Sequence, residues 1–218
     1  MDISLYGHLT LDHIYTGFKQ TESLGSIANV WRSLAMIDPS INVSMVPTEI
    51  GSAIVYVDET NSKRYSKAVL SQKIQKPTIV DSAYSVVMYL NELKETSFLK
   101  QLKGIVCADV CVGKPLDHTL LKYVDILFVA DTEVNTVVNL NYVPENTCVI
   151  VHSPSKSWDN NGNEYTLPKE ELLTNVNVLG AGDIYLSCYL RALLKDMTPS
   201  VCLQFAHIET TKILKDYK

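Results

Sequence analysis

Residues 178–194 read VLGAGDIYLSCYLRALL, in which two glycines flank an alanine immediately before an amphipathic helical pattern. The first N–H groups of a helix have no partner within it, and the helix dipole favours negative charge there. The small residues Gly180, Ala181 and Gly182 would let a phosphate approach these amides closely. Asp183 follows in the first turn, where its carboxylate can accept the proton of an attacking hydroxyl. The stretch therefore predicts a phosphoryl-transfer site with Asp183 as catalytic base, although a tight loop whose aspartate caps a helix would read the same way.

Upstream of this stretch, from residue 78 onward, strand and helix patterns alternate. Runs rich in valine and isoleucine predict strands at 78–85, 103–110, 124–131 and 146–153. Helices are predicted at 85–102, 116–123, 132–140, 183–195 and 199–216. Near-continuous apolar strands that alternate with helices indicate an α/β fold, in which a mostly parallel sheet is covered on both faces.

The N-terminal third has a different pattern. Residues 3–7 predict a short strand that ends at Gly7, and apolar residues at helical spacing predict a helix over 26–37. Strands are predicted at 41–48, 52–59 and 62–70, and the turn DETNSK joins the last two as a hairpin. We interpret residues about 41–70 as a small β lid on a single α/β domain that spans 1–218.

Composition excludes some classes of partner and compartment. The net charge of -5 argues against a nucleic-acid surface, which needs a basic face to neutralise phosphates. Five scattered cysteines indicate reduced thiols in a reducing compartment, and only Cys107 and Cys111 lie close together, so a metal site is not expected. We find no signal-peptide pattern and no apolar run long enough for a membrane helix, so we expect a cytoplasmic protein with no membrane partner.

Further motifs accompany the glycine-rich stretch in a fixed order along the chain. Leu11-Asp12 follows Gly7, residues 24–30 read LGSIANV, residues 52–66 read SAIVYVDETNSKRYS, and 124–133 read VDILFVADTE. With Gly-Ala-Gly-Asp, this series resembles the ribokinase-like (PfkB) carbohydrate and nucleoside kinase family, of which the chain would be a short and divergent member. The resemblance implies a three-layer α/β fold with a β lid, use of ATP and Mg²⁺, and phosphorylation of a hydroxyl on a sugar or nucleoside.

The resemblance also implies roles for individual residues. Asp12, Gly25 and Asn29 would bind the acceptor, and Glu133 would orient a hydrated Mg²⁺ through water. Some positions differ from the family pattern: residues 177–179 are Asn-Val-Leu where the family has Asp-Thr before the motif, and Ala130 replaces an asparagine. These differences motivate a second hypothesis, a non-catalytic small-molecule or nucleotide-binding protein of the same fold. A third is an unrelated α/β enzyme whose glycine-rich loop binds another phosphate ligand.

Three further features remain open from the sequence. Asp109 ends a predicted strand, so it would reach the edge of the sheet where α/β sites lie. Arg64 belongs with Lys63 and Lys67 either to a solvated face or to a site for a phosphate-bearing substrate. The apolar run SAIVYV in the lid predicts a homodimer through that element, because exposed sheet edges and faces tend to be covered.

Overall fold

The computed structural model describes residues 1–58, 60–61, 63–74, 76–174 and 176–216. Its strands are β1 (Ile3–Thr16), β2 (Lys19–Ser26), β3 (Val43–Asp58), β4 (Lys63–Lys73), β5 (Tyr84–Val87), β6 (Ile105–Asp109), β7 (Ile126–Ala130), β8 (Cys148–His152), β9 (Lys156–Asp159) and β10 (Glu164–Thr166). They form one sheet in the order β10-β9-β8-β7-β6-β5-β1-β3-β4, and β2 pairs with β1. The pairings from β3 through β8 in this order are parallel, so the predicted mostly parallel sheet is confirmed.

One face of the sheet is covered by the α-helices of the described residues. These are α1 (Ile27–Ile37), α2 (Ala181–Leu193) and α3 (Pro199–Asp216), which confirm the helices predicted at 26–37, 183–195 and 199–216. Their apolar stripes pack on alternate strand residues such as Leu5, Val86 and Phe128. No helix in the described part of the chain is long and apolar enough to span a membrane.

The other face is covered by short 3₁₀ helices, so the helix predicted at 116–123 is confirmed as a 3₁₀ helix, whereas 85–102 and 132–140 do not form continuous helices. The longest of these 3₁₀ helices is His118–Tyr123, and residues 84–87 form β5. The side chains of Asp117 and Asn139 each accept a hydrogen bond from a backbone N–H two residues later, which favours turns over continued helix. Apolar residues of these turns still reach the sheet, where Phe98, Leu99 and Leu121 are fully buried.

The lid contains more of the chain than the sequence indicates. We define it as residues 8–26 and 49–73, because the register of β1 with β3 shifts at Gly7, where both strands pass from the body into the lid. The strand predicted to end at Gly7 therefore continues to Thr16, the strand β2 was not predicted, and the strands predicted at 41–48 and 52–59 are one strand. The β3–β4 hairpin is confirmed by the pairing of Asp58 with Lys63, and Glu59 and Ser62 of its turn lie outside the described residues.

The two faces of the lid differ in chemistry. The inner face contains Asp12 and the buried strip Ala53, Val55 and Val57, against which Leu179 of the body packs. Side chains alternate along a strand and paired residues share a face, so Arg64, which pairs with Val57, belongs to the inner face. The outer patch consists of the exposed residues Leu11, Leu24, Ile54, Tyr56, Tyr65 and Val69.

Candidate active site

The candidate site lies where the parallel strands end beneath the lid. Asp109 ends β6, Glu133 follows β7 and His152 ends β8, and Asp183 starts α2 close to them. Burial raises the pKa of Asp109 well above its usual range, and the charges of Glu133 and Asp183 add to this effect. Several acidic groups therefore share one edge of the sheet, which is where α/β folds bind ligands.

The start of α2 presents open backbone N–H groups. Gly180 precedes the helix with φ 75, a left-handed conformation that glycine adopts without strain. Within the described part of the chain, the N–H groups of Gly180, Gly182 and Asp183 have no backbone acceptor, whereas that of Ala181 donates to Val178 O at 3.1 Å. The predicted phosphate-binding amides are thus available at both glycines, and Ala181 would have to exchange its bond.

Asp183 is a buried carboxyl held by one side-chain donor. Its side chain is 5% exposed, and Asn29 Nδ2 donates to its Oδ2 at 3.0 Å. Burial raises the pKa of Asp183 to about 6, against the opposing effects of Arg64 and of the Asn29 hydrogen bond. A carboxyl of this pKa is ionised at neutral pH yet basic enough to take a proton from a hydroxyl in a transition state.

Asp12 and Asn29 line a cleft of about 240 Å³ between the lid and the start of α2, and Gly25 lies against the carboxyl of Asp12. Thr10 Oγ1 donates to Asp12 Oδ1 at 2.6 Å, and burial raises the pKa of Asp12. A Cβ atom at Gly25 would lie 2.0 Å from Asp12 Oδ2, so only glycine fits beside this carboxyl. The structure therefore brings the three predicted acceptor-binding residues together, with Asp183 in contact through Asn29.

Arg32 is a cleft residue that the sequence analysis missed. It lines the cleft and donates to Ser23 Oγ, Leu24 O and Asn29 Oδ1 at 2.9, 2.8 and 3.3 Å. Its spacing of three residues from Asn29, which puts both on one helix face, was the available signal.

Arg64 brings a second positive charge to the site from the lid. Partial desolvation opposes its charge although the side chain is exposed, and the groups Tyr89, Asp183 and Asp109 together raise its pKa. Burial raises the pKa of Asp12 and of Glu133, and the charge of Arg64 opposes this rise. The inner-face position of Arg64 thus matches its electrostatic effect on the carboxyl groups of the site, which favours the substrate-binding interpretation over a solvated face.

Glu133 is held by the backbone around it. It is 6% exposed, its Oε2 accepts a hydrogen bond from Ala130 N at 2.9 Å, and burial raises its pKa. No group of three acidic, histidine or cysteine side chains within the described ranges is arranged to hold a metal ion. The residues fit a hydrated Mg²⁺ that arrives with a phosphate donor, because Mg²⁺ keeps several waters and needs only one or two carboxylates.

A buried aromatic group supports the start of α2. The rings of His152 and Tyr185 stack at 4.8 Å, and a Cβ atom at Gly182 would lie 3.7 Å from His152 Cε1. Burial lowers the pKa of His152 to about 4, so the ring is neutral at physiological pH. The sequence analysis did not assign His152 a role, because no motif distinguishes a histidine that packs below a glycine-rich turn.

Comparisons with known proteins identify the fold. No protein-family model and no curated protein sequence matches the chain. Among solved structures, a nucleoside kinase from Methanocaldococcus jannaschii has a TM-score of 0.72 at 14% identity, and the match covers 99% of this chain and 92% of the other. A ribokinase from Cryptococcus neoformans var. grubii, in complex with ADP, has a TM-score of 0.71 at 14% identity over 98% and 93% of the two chains.

A third match concerns a different phosphate donor. A pyrophosphate-dependent kinase of the ribokinase family, complexed with a pyrophosphate analog and myo-inositol, has a TM-score of 0.66 at 16% identity over 97% and 94% of the two chains. All three similar structures are kinases, and all three match nearly the whole length of the chain. The chain therefore has the ribokinase-like fold, with its mostly parallel sheet and its β lid.

Proposed function

We propose that the protein is an ATP-dependent kinase that phosphorylates a hydroxyl of a small molecule, a sugar or a nucleoside. The observation that carries this proposal is the position of Asp183. Its buried carboxyl stands at the start of α2 beside open backbone N–H groups, and Asn29 joins it to a cleft under the lid. A base, an anion site and an acceptor cleft are the parts that phosphoryl transfer requires.

Each residue then has a defined part in the reaction. An acceptor hydroxyl in the cleft, held by Asp12 and by Asn29 next to Gly25, loses its proton to Asp183 as it attacks. The amides of Gly180, Ala181 and Gly182 hold the developing charge of the transferred phosphoryl group, because the helix start favours an anion. Arg64 adds positive charge from the lid side, so that closure of the lid completes the site.

Mg²⁺ would bridge and partly neutralise the phosphates of the donor. Glu133 and Asp109 are the carboxyls of the sheet edge that would hold its water shell. Because one oxygen of Glu133 is engaged by Ala130 N, Glu133 would act through water, as the sequence resemblance implies.

A non-catalytic binding protein is the second candidate. Asn177 accepts a hydrogen bond from Leu179 N at 2.9 Å where the family pattern has an acidic residue, and the N–H of Ala181 is occupied by Val178 O. Both features favour a site that binds a phosphate ligand without transferring its phosphoryl group. The raised pKa of Asp183 favours catalysis instead.

A screen of donors against acceptors tests the proposal. ATP and pyrophosphate are each offered with a panel of sugars, nucleosides and cyclitols in the presence of Mg²⁺, and product is detected by phosphorus NMR. We expect one acceptor class to be phosphorylated with ATP. Turnover with pyrophosphate alone would change the donor, and binding of ATP without turnover of any acceptor would support the second candidate.

We also propose that the outer patch of the lid binds a second copy of the chain. Six large apolar side chains are exposed there on adjacent strands, and the rings of Tyr15 and Tyr56 stack at 5.3 Å on the same face. Exposed apolar side chains grouped on one face mark interaction sites, and here they surround the polar residues His13 and Lys67 that flank Ile54.

The five cysteines are all free, which supports the expected cytoplasmic location.

A further inference from the structure

Arg32 has unused hydrogen-bonding capacity at the acceptor cleft. A guanidinium carries five N–H donors, and three of them are engaged by Ser23, Leu24 and Asn29. All three acceptors are neutral oxygens, and no carboxylate of the described residues forms an ion pair with Arg32. Arg32 therefore keeps two N–H donors free at the exposed side of the cleft, while its charge acts on Asp12 and Asp183 without direct contact.

The position of Arg32 relative to the base limits the size of a ligand. Arg32 Nη1 donates to Asn29 Oδ1 at 3.3 Å, and Asn29 Nδ2 donates to Asp183 Oδ2 at 3.0 Å. One carboxamide group thus separates the exposed guanidinium from the buried carboxyl. A compact molecule could place a hydroxyl at Asp183 and another substituent at Arg32 at the same time.

We infer that the acceptor is an anionic small molecule, a sugar phosphate or a sugar acid, whose phosphate or carboxylate is bound by Arg32. This inference rests on the proposed kinase function and specifies its substrate class. Guanidinium groups bind both anions with two parallel hydrogen bonds, which gives orientation as well as affinity. The hydroxyls of Thr16 and Thr21 also line the cleft and can donate to the same anion, whereas the hydroxyl of Ser23 already donates to Leu24 O.

The alternative role of Arg32 is to fasten β2 to α1, and matched acceptor pairs separate the two roles. The pairs are ribose with ribose 5-phosphate, fructose with fructose 6-phosphate, and glucose with gluconate. For wild type we expect the anionic member of at least one pair to have the higher kcat/KM. Arg32→Gln should raise KM for that member by about 10–100-fold, since hydrogen bonds to charged groups contribute roughly 1.5–3 kcal/mol.

Variants of Arg32 also distinguish a loss of anion binding from a structural role of this residue. Arg32→Gln should raise KM much more for the anionic member than for the neutral member, and Arg32→Lys should be intermediate because it keeps the charge and loses the planar fork. Lys100→Gln removes one positive charge from an exposed residue on the opposite face of the sheet and should change nothing. An equal rise of KM for both members of each pair, or a wild-type preference for neutral members, would overturn the inference and leave the kinase function intact.

Failure of the kinase function gives a different result. If neither donor phosphorylates any acceptor, calorimetric titration of the same pairs decides the inference by binding alone. Binding of an anionic member to wild type that is lost in Arg32→Gln would support it. Equal binding of both members, or binding unaffected by the substitution, would contradict it.

Discussion

The two faces of the lid are built from the same strands and have opposite chemistry. Leu11 and Tyr65 belong to the exposed outer patch, whereas their chain neighbours Asp12 and Arg64 belong to the inner face above the carboxyl edge of the sheet. Successive side chains of a strand point to opposite faces, so a slip of one residue would exchange the two surfaces. Mutations on the two faces of the lid can therefore test the proposed substrate site and the proposed association with a second copy separately.

The largest effect on activity is expected from substitution of Asp183, which lies beneath the inner face of the lid. Asparagine at this position can still accept the Asn29 hydrogen bond but cannot take a proton. Asp183→Asn should lower kcat by ~10²–10⁴-fold, with donor affinity changed only a few-fold because the amides at the helix start remain. Steady-state kinetics and donor titration measure both; turnover within a few-fold of wild type would show that Asp183 is not the base.

The same substitution, Asp183→Asn, should increase the stability of the fold although it lowers the activity. Burial raises the pKa of Asp183 to about 6, above its value in the unfolded chain, so its cost to stability is absent below about pH 4, grows between pH 4 and 6, and is complete above pH 6. Asp183→Asn should raise the free energy of unfolding by about 1–3 kcal/mol at pH 8, and the gain should shrink as the pH falls through 6 towards 4. Denaturant unfolding at pH 8, 6 and 4 tests this; a gain that grows at acid pH would contradict it.

The wild-type kcat/KM should correspondingly fall below about pH 6.

Substitution of Gly25 tests whether acceptor binding requires the space beside Asp12 on the inner face of the lid. Gly25→Ala places a methyl group on the carboxyl of Asp12 and forces β1 and β2 apart at the cleft. We expect KM for the acceptor to rise by roughly 10–100-fold, the loss of one or two hydrogen bonds to a charged group, with KM for the donor unchanged. Gly17→Ala is the matched control in the same hairpin, because nothing lies within 4 Å of its added methyl group and only its left-handed conformation is strained. Equal effects of the two substitutions on acceptor KM would contradict a specific role for Gly25.

Substitutions of Arg64 and Lys67 compare the inner and outer faces of the lid, because both residues lie on β4. Lys67 pairs with Ile54 of the outer patch, whereas Arg64 pairs with Val57 of the buried inner strip. Arg64→Gln should reduce kcat/KM by about tenfold, because a charge–charge contact contributes roughly 1 kcal/mol in water and roughly 4 kcal/mol near a protein surface, and the Arg64 side chain is exposed. Lys67→Gln should leave kinetics unchanged. Similar losses for both substitutions would place Arg64 outside the site.

The smallest expected effect on activity comes from the outer patch. Ile54→Lys puts a charge at the centre of this patch without changing the inner face. If the patch binds a second copy, the mass measured by light scattering should fall from that of a dimer to that of a monomer, with kcat/KM within a few-fold of wild type. A wild-type protein that is monomeric at every practical concentration would refute the dimer.

Local pattern predicted some elements well and others poorly. The helices 183–195 and 199–216 follow from apolar periodicity, and the strands β6, β7 and β8 follow from short, near-continuous apolar runs, because these strands are buried on both faces of the sheet. The segments 85–102, 116–123 and 132–140 contain enough apolar residues for long helices but form short 3₁₀ helices. In the last two segments, the side chains of Asp117 and Asn139 bond to nearby backbone N–H groups, and apolar residues dock singly onto the sheet. The strand β2 was missed because its residues are mostly polar and exposed on an edge of the lid.

The sequence by itself determined that a glycine-rich turn places Asp183 at the start of a helix, because turn, cap and base occupy four consecutive residues. It also indicated that Asp109 reaches the carboxyl edge of the sheet, since this residue ends a strand of the predicted parallel sheet. Only the tertiary structure decided that Asn29 bonds to Asp183, that Gly25 excludes a side chain beside Asp12, and that Arg32 and Arg64 flank the cleft. These relations join residues far apart in the chain, and they depend on strand register and on the bend of β1 and β3 into the lid, which no local pattern encodes.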